Sequence, residues 1–431
     1  MASAYVDEWA GKSKMRVDKP FSVDGYFWLP SDENNKLYGT LTVEDGGKVE
    51  LEILGRFSNK KDLNIIVGET ENGHFVLEKC FALTHNIQIT NLAKNRILVT
   101  TLYKNITYKD DDRNEDILFN TFSFTVDGLN EWLNIKKIKI DEDTPNRKFV
   151  IRNEELENYI FNLDKDIILE FEISLSIDFK YYQPSMKQSS RIKLTSNKKE
   201  SLDYFIEIVN KIVKFLSFAI DKSINIKNIK VTDSDIFNEL NDKKYPIEIE
   251  VYRAMMHFSK DVPKIEFHRM LFHYTDIQDN FEEKINNWMK AYTAIESALN
   301  LFFSVRYNSS QYVESEFLSL AQAFETYHRQ LYGTKKDFQK RAEAIITLFH
   351  KYIGSDDEVK ELSKTIKITR NYYTHYENEL LNKGAIPCSQ LASLSRKMEG
   401  ILQLAFLTQI GFTEIEIEKI FNGYSGLKDK F

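Results

Sequence analysis

The chain has 431 residues, which is too long for one ordinary hydrophobic core and predicts two or three domains. Hydrophobic residues make up 42% and charged residues 29%, a globular balance that excludes a largely disordered chain. The net charge of −7 argues against a chain-wide electrostatic grip on nucleic acid, so any such contact would need a local basic surface.

The cysteine content and the hydropathy indicate the compartment. Cys80 and Cys388 fall in different predicted domains, which fits a reducing environment without a disulfide framework. No apolar run reaches the length of a membrane span, and residues 1–19 lack the apolar core of a secretory signal. We therefore expect a soluble, cytoplasmic protein with no membrane partner.

The N-terminal part alternates between polar and apolar residues after a polar arm at 1–19. Asp45-Gly46-Gly47 and Glu71-Asn72-Gly73 predict hairpin turns, and we interpret Gly39 as a turn glycine too. The spacing predicts a large, sandwich-like antiparallel sheet. Its expected strands are 25–30, 36–43, 49–54, 62–68, 74–81, 96–103, 117–125, 134–140, 147–152 and 166–181.

The next segment mixes both element types. Residues 201–220 have apolar residues at helical spacing, and strand-like runs resume at 224–232, 246–254 and 264–272. We therefore predict an α+β domain over 20–270, with this helix packed on or beside the sheet.

The last part, 275–431, predicts an all-α bundle of long amphipathic helices. Thr413 and Glu416 form a capping box that begins a short final helix. The apolar stripes are wide enough to leave surface for a second copy, so we expect a homodimer through this domain. The longer helices are predicted at 280–306, 314–332, 336–353, from Ser355 towards Gly384, and at 389–410.

The helix that begins at Ser355 carries the most informative residues. Ser355 and Glu358 form a capping box, and Gly384 and Pro387 supply the stop. An apolar stripe runs through Val359, Leu362, Ile366, Thr369, Tyr373, Tyr376 and Leu380. A broad polar face lies between Arg370 at the edge of that stripe and His375 well away from it; it contains Lys364, Lys367, Asn371, Thr374 and Asn378. Because Arg370 and His375 are five residues apart, they sit about 140° apart around the axis and can hold two ends of one charged group.

Arg370-Asn371-Tyr372-Tyr373-Thr374-His375, late in a helical bundle, resembles the Arg-Asn-x-x-x-His signature of HEPN ribonucleases. The resemblance implies a dimer in which two motifs face a shared cleft. Some HEPN toxins have a tyrosine two residues after the histidine as a site of modification. Here that position is Glu377, so this mode of control is not expected.

The N-terminal landmarks Gly25-Tyr26-Phe27-Trp28-Leu29-Pro30, Gly39-Thr40-Leu41, Gly46-Gly47 and Leu51 to Phe57 resemble the N-terminal domain of ApeA-type proteins. Those are anti-phage abortive-infection proteins with one C-terminal HEPN domain. The resemblance implies a phage-triggered, toxic RNase that halts translation, with tRNA as the candidate substrate. The domain over 20–270 would then sense the trigger or restrain the nuclease.

The residue types suit metal-independent RNA cleavage. Histidine titrates near neutral pH and transfers protons in either direction, and arginine can bind a phosphate through two hydrogen bonds. Asn371 can position a phosphate oxygen or a ribose hydroxyl, or orient the Arg370 side chain. Since the reaction needs an acid and a base, a second His375 from a dimer partner is expected. No cofactor and no metal are required; His268 and His273 lack a metal-ligand pattern.

Several residues keep two interpretations open. Glu325 can pair with Arg370 or support the site indirectly. His328 falls on an apolar stripe, which favours a hydrogen-bonded core histidine, with an accessory role at the site as the alternative. Lys364 and Lys367 suit either RNA phosphates or a solvated face, and Thr374 is a possible accessory.

Two other functions remain open for the bundle as a whole. The first is binding of nucleotide or RNA together with dimerisation, without cutting, and the second is a purely structural role as a handle for a dimer.

Overall fold

A computed structural model divides the chain into two compact units. The sheet unit comprises the described residues up to Asn130, together with Ile135–Val213 and Ile224–Lys264. The helical unit comprises Glu131–Asn134, Lys214–Ser223 and Ile265–Phe431. The predicted arm at 1–19 lies outside the described residues, which are 20–57, 63–82, 94–106, 108, 117–143, 145, 148–164, 166–254, 263–307, 312–333, 335–423 and 426–431.

Most strands of the large sheet alternate between buried and less buried residues, as in β2 and β3. In chain order they are β1 (Phe21–Trp28), β2 (Leu37–Val43), β3 (Val49–Leu54), β4 (Ile65–Thr70), β5 (Gly73–Ala82), β6 (Lys94–Lys104), β7 (Leu118–Val126), β8 (Ile138–Asp143), β9 (Lys148–Asn153), β10 (Tyr159–Asp164), β11 (Ile167–Lys180), β12 (Gln183–Ser201), β13 (Ile226–Thr232), β14 (Phe237–Leu240), β15 (Lys243–Pro246) and β16 (Ile249–Arg253).

Twelve of the described strands form one sheet that curls on itself. The order β6-β3-β2-β1-β4-β5 returns to β6 and closes a six-stranded barrel. The remaining strands, β16, β13, β7, β12, β11 and β10, continue from β6 as an open sheet, while β8–β9 and β14–β15 are separate hairpins. The predicted sheet-rich region is thus confirmed, and its strands close into a barrel instead of stacking as two layers of a sandwich.

The β2–β3 hairpin shows why the barrel forms. Leu41 lies opposite Leu51 and Val43 opposite Val49, so one face of both strands is buried. Gly46 and Gly47 have φ of 92° and 79°, as the predicted turn requires.

Gly39 is not a turn glycine, and that interpretation was wrong. It lies inside β2, opposite Ile53 on one side and Gly25 on the other. A Cβ added there would lie 2.5 Å from the Glu52 carbonyl oxygen, so the close approach of the strands demands glycine.

The helices of the helical unit were mostly predicted, although two of them are broken. They are α3 (Tyr274–Ile277), α4 (Phe281–Ala294), α5 (Glu296–Tyr307), α6 (Val313–Tyr332), α7 (Phe338–Thr347), α8 (His350–Ile353), α9 (Asp356–His375), α10 (Glu379–Asn382), α11 (Cys388–Ile410) and α12 (Glu414–Asn422), preceded in the chain by α1 (Leu129–Leu133) and α2 (Leu202–Ile220). Ile295 leaves the helical region with φ −125° and ψ 28°, which splits the first predicted helix.

Three sequence predictions fail here. The segment predicted as a strand at 264–272 has only a short 3₁₀ turn, Phe267–Arg269, because Met270, Leu271 and Phe272 pack into the helical unit. The third predicted helix is divided into α7 and α8. The helix that begins at Ser355 ends at His375 and not near Gly384, so Tyr376 leaves the apolar stripe and is 64% exposed.

The centre of the helical unit is aromatic. Trp288 of α4 stacks on Phe218 of α2 at a centroid distance of 6.0 Å, and Phe406 of α11 lies 6.1 Å from the same Phe218 ring. Burial of such rings supplies most of the hydrophobic stabilisation that holds the helices together.

A cluster of charges is buried beside this core. Arg306 Nη2 lies 2.7 Å from Asp221 Oδ1, and another Arg306 nitrogen pairs with Glu399. Lys430 Nζ lies 3.1 Å from Glu399, and Gln403 Nε2 donates to Asp221 at 2.6 Å. All four charged side chains are at most 17% exposed, so the network links the last residues of the chain to α5 and α11.

Both cysteines are free. Among the described residues, no helix combines the length and apolar character needed to cross a bilayer.

Candidate functional site

The helix α9 is held firmly at its start. Ser355 Oγ accepts from the Glu358 backbone, and the Glu358 carboxylate accepts from the Ser355 N–H at 2.6 Å, which completes the predicted capping box. Asp356 and Asp357 add negative charge to the first turn, where the helix dipole favours it. The sequence therefore fixes the register of the helix from its N-terminus.

The other end of α9 is fixed through its buried face. Ile386 N donates to Thr369 Oγ1 at 3.0 Å, and Tyr373 OH donates to the Ile386 carbonyl at 3.2 Å. Burial raises the pKa of Tyr373 to about 12, so this hydroxyl keeps its proton and the bond. Tyr376 ends the helix in the left-handed region with φ 55°. Together these contacts hold the last two turns, where Arg370 and His375 lie.

Arg370 is oriented by two neighbours and remains open on the rest of its surface. Its Nη2 lies 3.7 Å from Glu325 Oε2 on α6, and its guanidinium carbon lies 5.1 Å from the ring centroid of Phe338 on α7. Glu325 Oε1 also accepts from Arg329 at 2.5 Å. The Arg370 side chain is 38% exposed, so an anion can reach it.

His375 is the last residue of α9 and is exposed. Its ring has no hydrogen bond, ion pair or aromatic contact with any residue that the structure describes. Arg370 and His375 therefore emerge from one uninterrupted helix, about 7.5 Å apart along its axis. An imidazole that is accessible and uncommitted is available for proton transfer.

Thr374 and Asn371 differ in whether their side chains are free to contact a substrate. Thr374 Oγ1 donates to the Arg370 carbonyl at 2.7 Å, which commits it to the helix backbone. The Asn371 side chain is partly exposed and has no hydrogen-bond partner in the described part of the chain.

The two lysine candidates are also placed differently. Lys367 Nζ lies 3.4 Å from Gln339 Oε1 in the first turn of α7, next to the Phe338 that contacts Arg370. Lys364 is exposed and lies 3.5 Å from Glu361 on its own helix. Lys367 thus extends the cationic surface beside Arg370, whereas Lys364 is partly neutralised by its neighbour.

His328 is buried as predicted, but the predicted hydrogen bond is absent at one nitrogen. The residue is 2% exposed, and its Nδ1 has no partner among the described residues. Its ring lies 4.9 Å from that of Tyr332. Burial lowers the pKa of His328, with a further contribution from Lys336 and Arg341. A buried, neutral histidine is poorly placed to reach a substrate.

The contribution of α7 was not predicted from the sequence. Asp337 caps this helix by accepting from Lys340 N, and the cap places Phe338 and Gln339 at the first turn, beside α9. The cap itself is visible in the sequence, whereas the contact with Arg370 depends on tertiary packing.

In the described part of the chain, no group of three or more His, Cys, Asp or Glu residues is arranged to hold a metal ion. The His273 ring is instead bonded to the Asp276 carboxylate and the Phe267 carbonyl.

Two protein-family models match the chain. The model described as ApeA N-terminal domain 1 matches residues 22–288, and the model described as Apea-like HEPN matches residues 318–416, which include all of α9. No curated protein and no solved structure gives a significant match. The HEPN domain supports a nuclease or RNA-related role in antiviral defence. Because the first model alone spans more than half of the chain and the second follows it in the expected order, this protein belongs to the ApeA family, whose architecture ends in a HEPN domain.

Proposed function

We propose that the helical unit is a metal-independent endoribonuclease in which His375 transfers protons and Arg370 binds the scissile phosphate. The observation that carries this proposal is the contrast between the two side chains. Arg370 is oriented by Glu325 and Phe338 yet is open to an anion, and His375 is exposed with no partner in the described part of the chain.

The reaction that suits these groups needs no water and no external nucleophile. The ribose 2′-hydroxyl loses its proton to a base and attacks the adjacent phosphorus, forming a new P–O bond. The P–O5′ bond breaks, and an acid gives a proton to the departing 5′-oxygen. The products are a 2′,3′-cyclic phosphate and a 5′-hydroxyl. Arg370 donates to the phosphate oxygens and stabilises the added negative charge.

The balance of protons is the reason to propose a dimer. One step needs a base and an acid, whereas α9 supplies one exposed histidine, and His328 on α6 is buried. A second copy bound through the helical unit would bring a second His375 to the same RNA. Asn371 and Lys367 would then position ribose and phosphate groups, with Lys364 at the margin and Glu325 keeping Arg370 in place.

In the cell, we propose that this activity stops phage growth by abortive infection, with tRNA as the substrate in the cytoplasm. The sheet unit would restrain the nuclease until it meets a phage-derived trigger. Uncontrolled cleavage of tRNA would kill the host, so such restraint is required.

The test compares RNA ends in cells that express the wild type, His375→Ala or Arg370→Ala. The wild type should produce new 5′-hydroxyl ends and arrest growth, and each variant should lose both effects. His350→Ala and Arg396→Ala are matched controls, because both residues are exposed in the same unit and lie on other helices. If the two site variants cleave as the wild type does, the active site is elsewhere.

A second assay separates the metal question from the assignment of residues. Purified protein that cleaves RNA should do so equally in EDTA, and loss of cleavage in EDTA would contradict metal independence. A protein that dimerises and binds RNA but leaves it intact in every assay would instead be a nucleotide- or RNA-binding module.

A further inference from the structure

The helical unit contains a pocket that is separate from the α9 site. It has a volume of about 300 Å³ and lies between the segment around the 3₁₀ turn and α3 on one side and α12 on the other. This volume is at the lower end of the range for small-molecule sites. None of its lining residues belongs to α6, α7 or α9.

The inner surface of the pocket is apolar and aromatic. Phe272 and Phe412 both line it, with ring centroids 4.9 Å apart, and Met270 and Leu271 lie beside them. All four residues are at most 6% exposed. A surface of this kind suits a flat apolar body of one or two rings.

Two carboxylates line the pocket, and each already has its own partners. Asp276 Oδ2 accepts from the His273 backbone at 2.8 Å and faces its Nδ1 at 3.2 Å; the hydrogen bond from this ring lowers the pKa of Asp276. Glu416 accepts from Thr413 N at 2.7 Å and pairs with the buried Lys284 at 3.2 Å. Both carboxylates therefore already have hydrogen-bond or ion-pair partners within the protein.

The basic residues of the lining have fewer contacts within the protein than the two carboxylates. Lys419 and His268 both line the pocket and are exposed. Neither side chain has a hydrogen bond or ion pair with the residues that the structure describes, and the one electrostatic partner of Lys419 is Asp276, whose pKa its charge helps to lower. The groups free to meet a ligand are thus hydrogen-bond donors at the rim of an aromatic floor.

From this arrangement we infer that the pocket binds a small organic anion, with an aromatic or similarly sized apolar body against Phe272 and Phe412 and its negative group on Lys419 and His268. A carboxylate and a phosphate monoester both offer this chemistry. The inference concerns binding alone and does not depend on whether α9 cleaves RNA.

A cationic ligand is the main competitor, since Asp276 and Glu416 also line the pocket. It would have to share carboxylates that are already bonded to His273 and Lys284, and the charge of Lys419 would repel it. The availability of the Lys419 and His268 donors, compared with carboxylates that already have partners, therefore favours the anion.

The experiment uses three probes with the same ring and different charge: indole-3-acetate, indole and tryptamine. Their affinities for the full-length protein are measured by ligand-detected NMR titration. Indole-3-acetate should bind most tightly, and phenyl phosphate in the same assay shows whether a phosphate serves as well as a carboxylate. Tighter binding of tryptamine, equal binding of the three indoles or no binding of any of them would overturn the inference.

Variants then assign the site. Lys419→Glu should weaken indole-3-acetate binding roughly tenfold, the effect of losing one charge-assisted contact. Lys290→Glu is the matched control, since Lys290 is exposed on α4 and does not line the pocket. Ile420→Trp should fill the cavity and abolish binding of every probe, with thermal unfolding measured to show that the variant is folded. An unchanged affinity in Lys419→Glu would place the probe elsewhere and overturn the inference.

Discussion

Replacing Arg306 by alanine tests the buried charge network most directly. The change removes the ion pairs of Arg306 with Asp221 and Glu399 and leaves these two carboxylates, 17% and 15% exposed, beside Lys430. Breaking a buried pair from one side costs about 3–5 kcal/mol, because the remaining charge stays desolvated. Since Lys430 and Gln403 still contact the two carboxylates, we expect the free energy of unfolding to fall by about 3 kcal/mol at neutral pH, the lower end of this range.

The measurement is the unfolding of the helical unit in the full-length protein. Trp132 and Trp288 are fully buried in that unit, so a change in their fluorescence reports its loss. For a unit of this size, 3 kcal/mol corresponds to a fall in the melting temperature of about 6–12 °C. Arg329→Ala is the matched control, because its ion pair with Glu325 is formed by a side chain that is 59% exposed and should contribute below about 1 kcal/mol.

The pH dependence gives a second check with a definite sign. Burial alone would raise the pKa of Glu399, but Arg306 and Lys430 lower it overall. In the wild type this carboxylate stabilises the fold above its unfolded pKa, about 4.3, and the contribution is lost as the pH falls through the lower folded value. The loss of stability in Arg306→Ala relative to the wild type should become smaller at acidic pH, because protonation of Glu399 removes its unpaired charge. Equal losses in Arg306→Ala and Arg329→Ala, at every pH, would refute the reasoning.

Three further results are expected. Because burial lowers the pKa of His328 in the folded protein, the unfolded chain binds a proton at this residue at higher pH than the folded protein does. The free energy of unfolding of the wild type should therefore fall as the pH drops below about 6.5, and that of His328→Phe should fall less, as measured by denaturant titration at each pH. Gly39→Ala places a Cβ 2.5 Å from the Glu52 carbonyl oxygen and should destabilise the barrel by about 1–3 kcal/mol in chemical denaturation; an unchanged midpoint would mean that the strands can separate at no cost. Lys367→Ala should weaken RNA binding and lower the slope of log affinity against log salt by about one, whereas an unchanged slope would exclude a phosphate contact.

Local signals in the sequence predicted the elements that position the site. The capping boxes at Ser355 and Thr413 fix the starts of α9 and α12, and both form as expected. Strands β2 and β3 lie within a residue of their predicted bounds, because alternation and a Gly-Gly turn act over a few neighbours.

The failures have tertiary causes. Strand β12 begins with Gln183-Pro184-Ser185, a polar stretch without alternation, and is a strand there because its residues from Gln183 to Ser196 pair with the whole of β11. Only Met270, Leu271 and Phe272 of the segment 264–272 are buried, in the helical unit, and a short apolar run of this kind cannot be distinguished from a buried strand by periodicity alone. The contact of Arg370 with Phe338 likewise depends on packing between α7 and α9.

Strand β6 has a consequence for how the sheet unit comes apart. On one side it bonds to β5 through Ile97–Lys104, and on the other it bonds first to β3 through Lys94–Val99 and then to β16 through Thr101–Lys104. The barrel and the open sheet therefore share strand β6. The open sheet cannot separate from the barrel while β6 keeps its hydrogen bonds to both β16 and the barrel strands β3 and β5. Amide protons on both sides of this junction should exchange with solvent in one cooperative opening.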